Sequence, residues 1–308
     1  MQNEQEGSEL LPIDEFFEKG NLDDILRAYR GALAFFKQLA AADPDNAQFQ
    51  QDLAEGHNKI GNVLRSQGSP GDALKSYYDG LEIRERLVTE APANTEWKSD
   101  LWYTHDQIAD ILLVQGMHDE ALGVFHDGLE TGQWLVAEDP NVGVWRRRLS
   151  INHSKIGEVL RAQGKYEEAL RSSRRGLEII RSLTTEDPDV DEWHRLLAVS
   201  HDRVGDVLRA QGSLNEALQS YDDSLGIRRR LAKEDPDNAE WQGDVAISYQ
   251  LRAVCFMQLG DGNEAWYSWF NCAYTIRRMK RKGMVLDPTI RSLMTMLVKH
   301  EFMLGEDD

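Results

Sequence analysis

The sequence predicts an all-α fold, a solenoid of antiparallel helical hairpins, on three observations. One phrase recurs at a fixed spacing: "ADPDNAQF" at 42, "EAPANTEW" at 90, "EDPNVGVW" at 138, "EDPDVDEW" at 186 and "EDPDNAEW" at 234. Phe49, Trp97, Trp145, Trp193 and Trp241 are therefore 48 residues apart, as are Pro44, Pro92, Pro140, Pro188 and Pro236. Between the phrases, apolar residues fall on helical stripes, and a glycine divides each repeat in two. A strict period in a chain of 308 residues points to one repeat array rather than the roughly two domains that length alone suggests.

The first helix of each repeat follows the aromatic residue. Its stripe runs through Leu53, Leu101, Leu149, Leu197 and Val245, then Ile60, Ile108, Ile156 and Val204, with Leu251 slipped by one, and continues to Leu64, Leu112, Leu160 and Leu208. Gly68, Gly116, Gly164, Gly212 and Gly260 end it, since glycine adopts the left-handed conformation that closes a helix. The second helix carries Ala73, Leu74, Tyr77, Leu81 and Leu87 in one copy and Ala217, Leu218, Tyr221, Leu225 and Leu231 in another. Gly61, Ala109, Gly157, Gly205 and Ala253 in the first helices match Ala73, Ala121, Ala169, Ala217 and Ala265 in the second, so the two helices are expected to approach closely there.

The Asp-Pro step ends the second helix, because a residue preceding proline is driven out of the α region. Proline is then expected in the first turn of the next helix. Asp235 or Asp237 serves as N-cap, the latter with Glu240 as a capping box. The repeats so defined are 44–91, 92–139, 140–187, 188–235 and 236–283. A degenerate unit at 1–43 precedes them, with Gly20, Leu26, Tyr29, Leu33 and Leu39 standing 48 before Gly68, Leu74, Tyr77, Leu81 and Leu87. Residues 284–308 form a capping helix, from about Pro288 to Met303, and an acidic tail. Trp266, Tyr267, Trp269, Phe270 and Tyr274, followed by "RRMKRKG", receive that helix; a partner or self-association site is the alternative.

Composition narrows the function. A net charge of −18 argues against nucleic acid or an anionic membrane as partner and favours a basic or zwitterionic one. The acidic start "MQNEQEGSELLPIDEFF" lacks secretory features and no apolar run reaches the roughly 18 residues of a membrane span, so a cytoplasmic protein is expected. Cys255 and Cys272 are too few for a disulfide framework or a four-cysteine zinc site, and are read as packing residues. His57, His105, His153 and His201 repeat in register, but each belongs to a different repeat, too far apart to share a metal. Asp106 with Asp110, and Asp202 with Asp206, sit at i, i+4, yet no phosphate loop, activated nucleophile or metal motif accompanies them, and His300-Glu301 lacks a second histidine. No catalytic residue, metal or cofactor is assigned.

Gly61, Ala73 and Tyr77, and Gly205, Ala217 and Tyr221, resemble the small, alanine and large positions of tetratricopeptide repeats. The resemblance covers about 44–283, and the recurring "VLRAQG" is similar to bacterial members. A HEAT-like array is the structural rival, although the Gly…Ala…Tyr spacing favours the first family. Two departures stand out. The period of 48 exceeds the usual figure of about 34, lengthening each helix by roughly two turns, or about 10 Å. His57, His105, His153 and His201 occupy the place of the family's usual Trp. The resemblance implies a right-handed superhelix whose first helices line a concave groove, and a non-catalytic scaffold or adaptor that holds a peptide or protein segment there. It maps the groove onto Asn58, Asn62 and Arg65; Asp106, Asp110 and Leu113; Ser154, Glu158 and Arg161; Asp202, Asp206 and Arg209; and Gln250, Val254 and Met257. Tyr103, Ile151, Val199 and Ile247 form an apolar inner rim. The aspartates would select basic residues and Arg65, Arg161 and Arg209 acidic ones. The lysine of the chaperone-tail clamp is replaced by Asn58, Asp106, Ser154 and Asp202, which argues against that ligand. Homo-oligomerisation through the aromatic carboxy-terminal end is the second reading.

Overall fold

The computed structural model describes residues 21–299. Gly20, His300-Glu301, the stretch to Met303 and the acidic tail lie outside them. Twelve α-helices and no strand occur among the described residues: α1 (Leu22–Ala42), α2 (Ala47–Ser66), α3 (Pro70–Glu90), α4 (Thr95–Val114), α5 (His118–Glu138), α6 (Gly143–Ala162), α7 (Tyr166–Glu186), α8 (Asp191–Gln211), α9 (Leu214–Glu234), α10 (Ala239–Leu259), α11 (Gly262–Arg281) and α12 (Pro288–Lys299). The fold is all-α and built of consecutive helical hairpins. The starts of α2, α4, α6, α8 and α10 are 48 residues apart. Contacts divide the chain within α5 into one unit ending at Leu135 and another beginning at Val136. In the first, α1 packs on α2, α2 on α3 and α3 on α4; in the second, each helix from α6 to α12 packs on the next.

The recurrent phrase works differently from expectation. Its prolines lie in the turn, outside the following helix. The N-cap is Asn46, Asn94 or Asn238, whose side chain accepts from the backbone N–H of Phe49 at 3.3 Å, Trp97 at 3.0 Å or Trp241 at 3.1 Å. Asp235 is instead the C-cap of α9, with extended backbone, and its carboxylate accepts from the N–H of Asp237 at 3.1 Å. An amide one residue beyond Asp237 reaches the third helical N–H, so the capping box with Glu240 does not form. Val142 and Val190 stand at the N-caps of α6 and α8 without a side-chain bond. The glycines behave as expected: Gly68, Gly116, Gly164, Gly212 and Gly260 have φ between 75° and 92°.

The crossings at Gly61 and Gly205 also refine the expectation of close approach. A Cβ at Gly61 would lie 2.6 Å from the Tyr77 ring, and one at Gly205 2.7 Å from the Tyr221 ring. The glycines thus make room for a tyrosine of the second helix, four residues beyond the matching alanine. In the third hairpin Gly157 instead faces the Ser173 hydroxyl and the Ala169 carbonyl. Tyr77, Tyr221 and the alanines are fully buried. Elsewhere the partners are exchanged as a pair: Trp102 is fully buried, and a Cβ at Gly132 would lie 2.5 Å from its ring. At the carboxy-terminal end Ile290, Leu293 and Leu297 of α12 join Trp269, Cys272 and Ile276 of α11 in one apolar core. Cys255 and Cys272 are both buried and unbridged, and burial pushes the Cys272 thiol up to about 12.

These crossings predict opposite outcomes for two glycines. Gly205→Ala forces the Tyr221 ring aside and should destabilise the protein by about 1–3 kcal/mol. Gly226→Ala, inside α9 with nothing within 4 Å of the added methyl, should stabilise it by up to about 1 kcal/mol. Urea unfolding of both variants beside the wild type checks the signs.

Candidate protein-interaction surface

In the amino-terminal unit the expected groove residues lie on α2 and α4, and several serve the packing. Asn58 is 1% exposed, and its amide donates to the Thr104 hydroxyl at 2.9 Å. It is a buried link between helices rather than a surface for a partner. Thr104 also receives Arg84, a buried guanidinium that donates to the Asp100 carbonyl at 2.9 Å and to Glu55 at 2.8 Å. The Tyr77 hydroxyl donates to Asn62 at 2.6 Å, and burial pushes that phenol up to about 12. Arg65 donates to Gln107. Tyr103, Asp106 and Asp110 are half-buried along α4.

The carboxy-terminal unit repeats the theme. Asp202, only 7% exposed, holds the buried Arg228 at 2.8 Å; Arg228 also donates to Ser248 at 2.9 Å and to the Asp244 carbonyl at 3.3 Å. Desolvation pushes the Asp202 carboxyl up to about 6 against the pull of Arg228. A carboxylate so enclosed does not select a partner's cations, which corrects the expectation for this residue. Asp206 accepts from the Tyr221 hydroxyl at 2.8 Å and pairs with Arg209 at 3.6 Å, while Arg209 donates to the same phenol oxygen at 3.1 Å. Glu158 pairs with Arg203 at 3.2 Å. Ser154 donates to the carbonyl of Ser150 at 3.0 Å. Ile151, Arg161 and Val199 are half-buried.

Gln250 borders a cleft on this face. With Val254 and Met257 of α10, Trp266 of α11 and Met296 of α12, it walls an apolar cleft of about 680 Å³. Met257 is 61% and Trp266 57% exposed. Trp266 stacks on Phe270 with centroids 5.3 Å apart, and the indole N–H of Trp269 donates to the Met257 sulfur at 3.5 Å. The aromatic cluster is therefore split. Trp269 is buried under α12, whereas Trp266, Tyr267, Phe270 and Tyr274 are exposed. Sequence reasoning missed Met296, because the cleft forms only when α12 folds onto α10 and α11. It also missed Arg84 and Arg228, whose recurrence three repeats apart was the available signal.

The four histidines are buried beside the hairpins. His57 and His201 each lie 3.6 Å from a carboxylate, Asp79 and Asp223 respectively, and the carbonyl of His153 accepts from Ser172 at 2.8 Å. Desolvation lowers the pKa of His57, His105 and His201. Among the described residues no group of three or more potential ligands is placed to hold a metal ion. No described helix is long and apolar enough to cross a membrane.

With this geometry in hand, comparisons with known proteins are informative. A tetratricopeptide repeat family model matches residues 58–89 and 198–237, the two stretches holding Tyr77 and Tyr221 with their glycines. A comparison with curated proteins finds no match. Among solved structures, BtubC (BKLC) from P. vanneervenii aligns at 15% identity and a TM-score of 0.63, over 88% of this chain and 96% of that one. The apo quorum sensor NprR from B. thuringiensis aligns at 14% identity and 0.58, over 95% and 68% respectively. The apo form of RapI aligns at 15% identity and 0.55, over 96% of both chains. At these identities the likeness concerns the fold.

The buried pair makes a testable case. Asp202→Leu strands Arg228 and should cost about 3–5 kcal/mol, whereas Asp202→Leu with Arg228→Met should lose far less. Urea unfolding of the two variants measures the difference. The histidines give a pH dependence. The folded pKa values of His57, His105 and His201 lie below 6.5, so the unfolded chain takes up protons first. Their contribution to stability is full above pH 6.5 and is lost as pH falls through that value, while Asp202, raised to about 6, acts oppositely as it protonates. Stability measured from pH 7 to about pH 5 should therefore fall less steeply in His105→Leu than in the wild type.

Proposed function

We propose that this chain, which matches the tetratricopeptide repeat family over residues 58–89 and 198–237, is a non-catalytic scaffold that binds a polypeptide segment on the first helices of its carboxy-terminal unit. The apolar cleft walled by Val254, Met257, Trp266 and Met296 carries this reading. Exposed large apolar side chains gathered in one concavity mark interaction sites, and Val254 and Met257 stand 48 residues after Asp206 and Arg209 on the corresponding helix. A segment presenting apolar side chains would gain affinity here. In the amino-terminal unit, taken by itself, Asp106 and Asp110 would favour basic residues. A cytoplasmic setting suits such a role. Retention of partners from a lysate of the source cell on immobilised wild type, and a loss of roughly tenfold or more on Val254→Asp with Met257→Asp, is the expected result. Equal retention would place the binding surface elsewhere.

The exposed Trp266–Phe270 stack favours a second reading, self-association through the carboxy-terminal end. Trp269 is unsuitable for testing it because that ring belongs to the core. Light scattering of the wild type and of Trp266→Ala with Phe270→Ala separates the readings. A concentration-independent monomer in both refutes self-association.

A further inference from the structure

On different helix faces the same carboxy-terminal unit carries a cleft of the opposite character. Arg229 and Lys233, at i, i+4 on α9, are both exposed, and neither is ion-paired among the described residues. They open onto a cleft of about 370 Å³ also walled by Tyr249 of α10 and by Asn271, Tyr274 and Arg278 of α11. Arg278 is held in place by Gln242, which is buried. The Gln242 amide nitrogen donates to the Ala232 carbonyl at 2.8 Å, and its oxygen accepts from Arg278.

The repeat register explains why this cleft is cationic. One repeat earlier, Arg181, His201 and Asp223 occupy the places of Arg229, Tyr249 and Asn271. There the carboxylate of Asp223 lies 3.6 Å from His201, and the charges of both Asp223 and Arg181 act on the imidazole. In the last repeat the arginine is kept, the carboxylate becomes an amide and the imidazole becomes a phenol. In the other copies Asp79 and Asp127 stand in register with Asn271, with Arg175 the exception, and Glu82, Glu130 and Glu178 stand in register with Tyr274, with Gly226 the exception. Of the five full repeats only the last, where the cleft opens, lacks an acidic side chain at both positions, in a chain whose net charge is −18.

We propose that this cleft anchors an acidic peptide segment of a partner protein. One of the partner's Asp or Glu carboxylates is held between the planar forks of Arg229 and Arg278, Lys233 adds a third positive charge, and the exposed Tyr274 ring covers the peptide's flank. The volume suits one or two side chains, at the small end of the roughly 300–1,000 Å³ of ligand sites. The partner's carboxylate takes the place of the one that Asp223 supplies a repeat earlier.

The test uses the full chain and fluorescence anisotropy with a fluorescein-labelled hexapeptide of alternating Glu and Ala, beside its Gln counterpart. The acidic peptide should bind at least about tenfold more tightly than the Gln peptide, and more weakly as salt rises. Asn271→Asp, which restores the carboxylate of earlier repeats with little change of volume, should weaken binding about tenfold, as should Arg229→Glu with Lys233→Glu. Circular dichroism verifies that both variants fold. The proposal is overturned if the Gln peptide binds equally well, if both variants bind like the wild type, or if no binding appears up to the order of millimolar peptide. Displacement by inorganic phosphate at the concentration where unlabelled acidic peptide displaces would also overturn it, by showing a site for small anions.

Discussion

In three of the hairpins the two helices meet where one of them lacks a side chain at the crossing. Gly61, Gly157 and Gly205 supply that gap, and Tyr77, Ser173 and Tyr221 enter it from the facing helix. Glycine in a helix interior costs about 1 kcal/mol relative to alanine, an amount small against the burial of a whole tyrosine ring. Further contacts of these hairpins follow from this fit. The second helix is brought near enough for its phenol to reach Asn62 or Asp206, and the left-handed glycine that closes the first helix turns the chain back within two or three residues.

That linkage changes the meaning of the polar residues on the inner face. Asn58, Asn62, Asp202 and Asp206 recur in register because the packing uses them, as acceptors for a phenol, a partner for a buried guanidinium, or a donor to a threonine. Their recurrence reflects packing between helices. Both clefts lie in the last repeat and its flanking helices, where Asp206 and Arg209 of the preceding copy give way to Val254 and Met257 on one face and its Asp223 gives way to Asn271 on another.

Helix number, hairpin pairing and the closing glycines were legible because period, stripe and φ preference are local properties of the chain. The N-cap was misassigned because Asp235, Asp237 and Asn238 are all good caps in isolation. The choice among them depends on where the preceding helix releases the chain. The carboxylates were read as surface because i, i+4 spacing fixes the face of a helix but not what packs against it. Only the position of Arg228 on α9 shows that Asp202 is enclosed. Trp266 was visible as an aromatic residue, but its role as a cleft wall needed α12 to supply Met296.

The Trp102–Gly132 exchange has a consequence for how such a chain can be rearranged. In register, Trp102 corresponds to Ala54, Ser150, Ala198 and Ala246, and Gly132 to Arg84, Ile180, Arg228 and Ile276. An indole and a missing side chain here replace a small residue facing a long one. Although the repeats share a length and a framework, they are not interchangeable parts. A duplicated or transposed helix would carry an indole toward an arginine, or a glycine toward an alanine, leaving a clash in one case and a void in the other. The order of the copies is thereby written into their interiors, and new copies can arise only as whole hairpins or by changing both partners together.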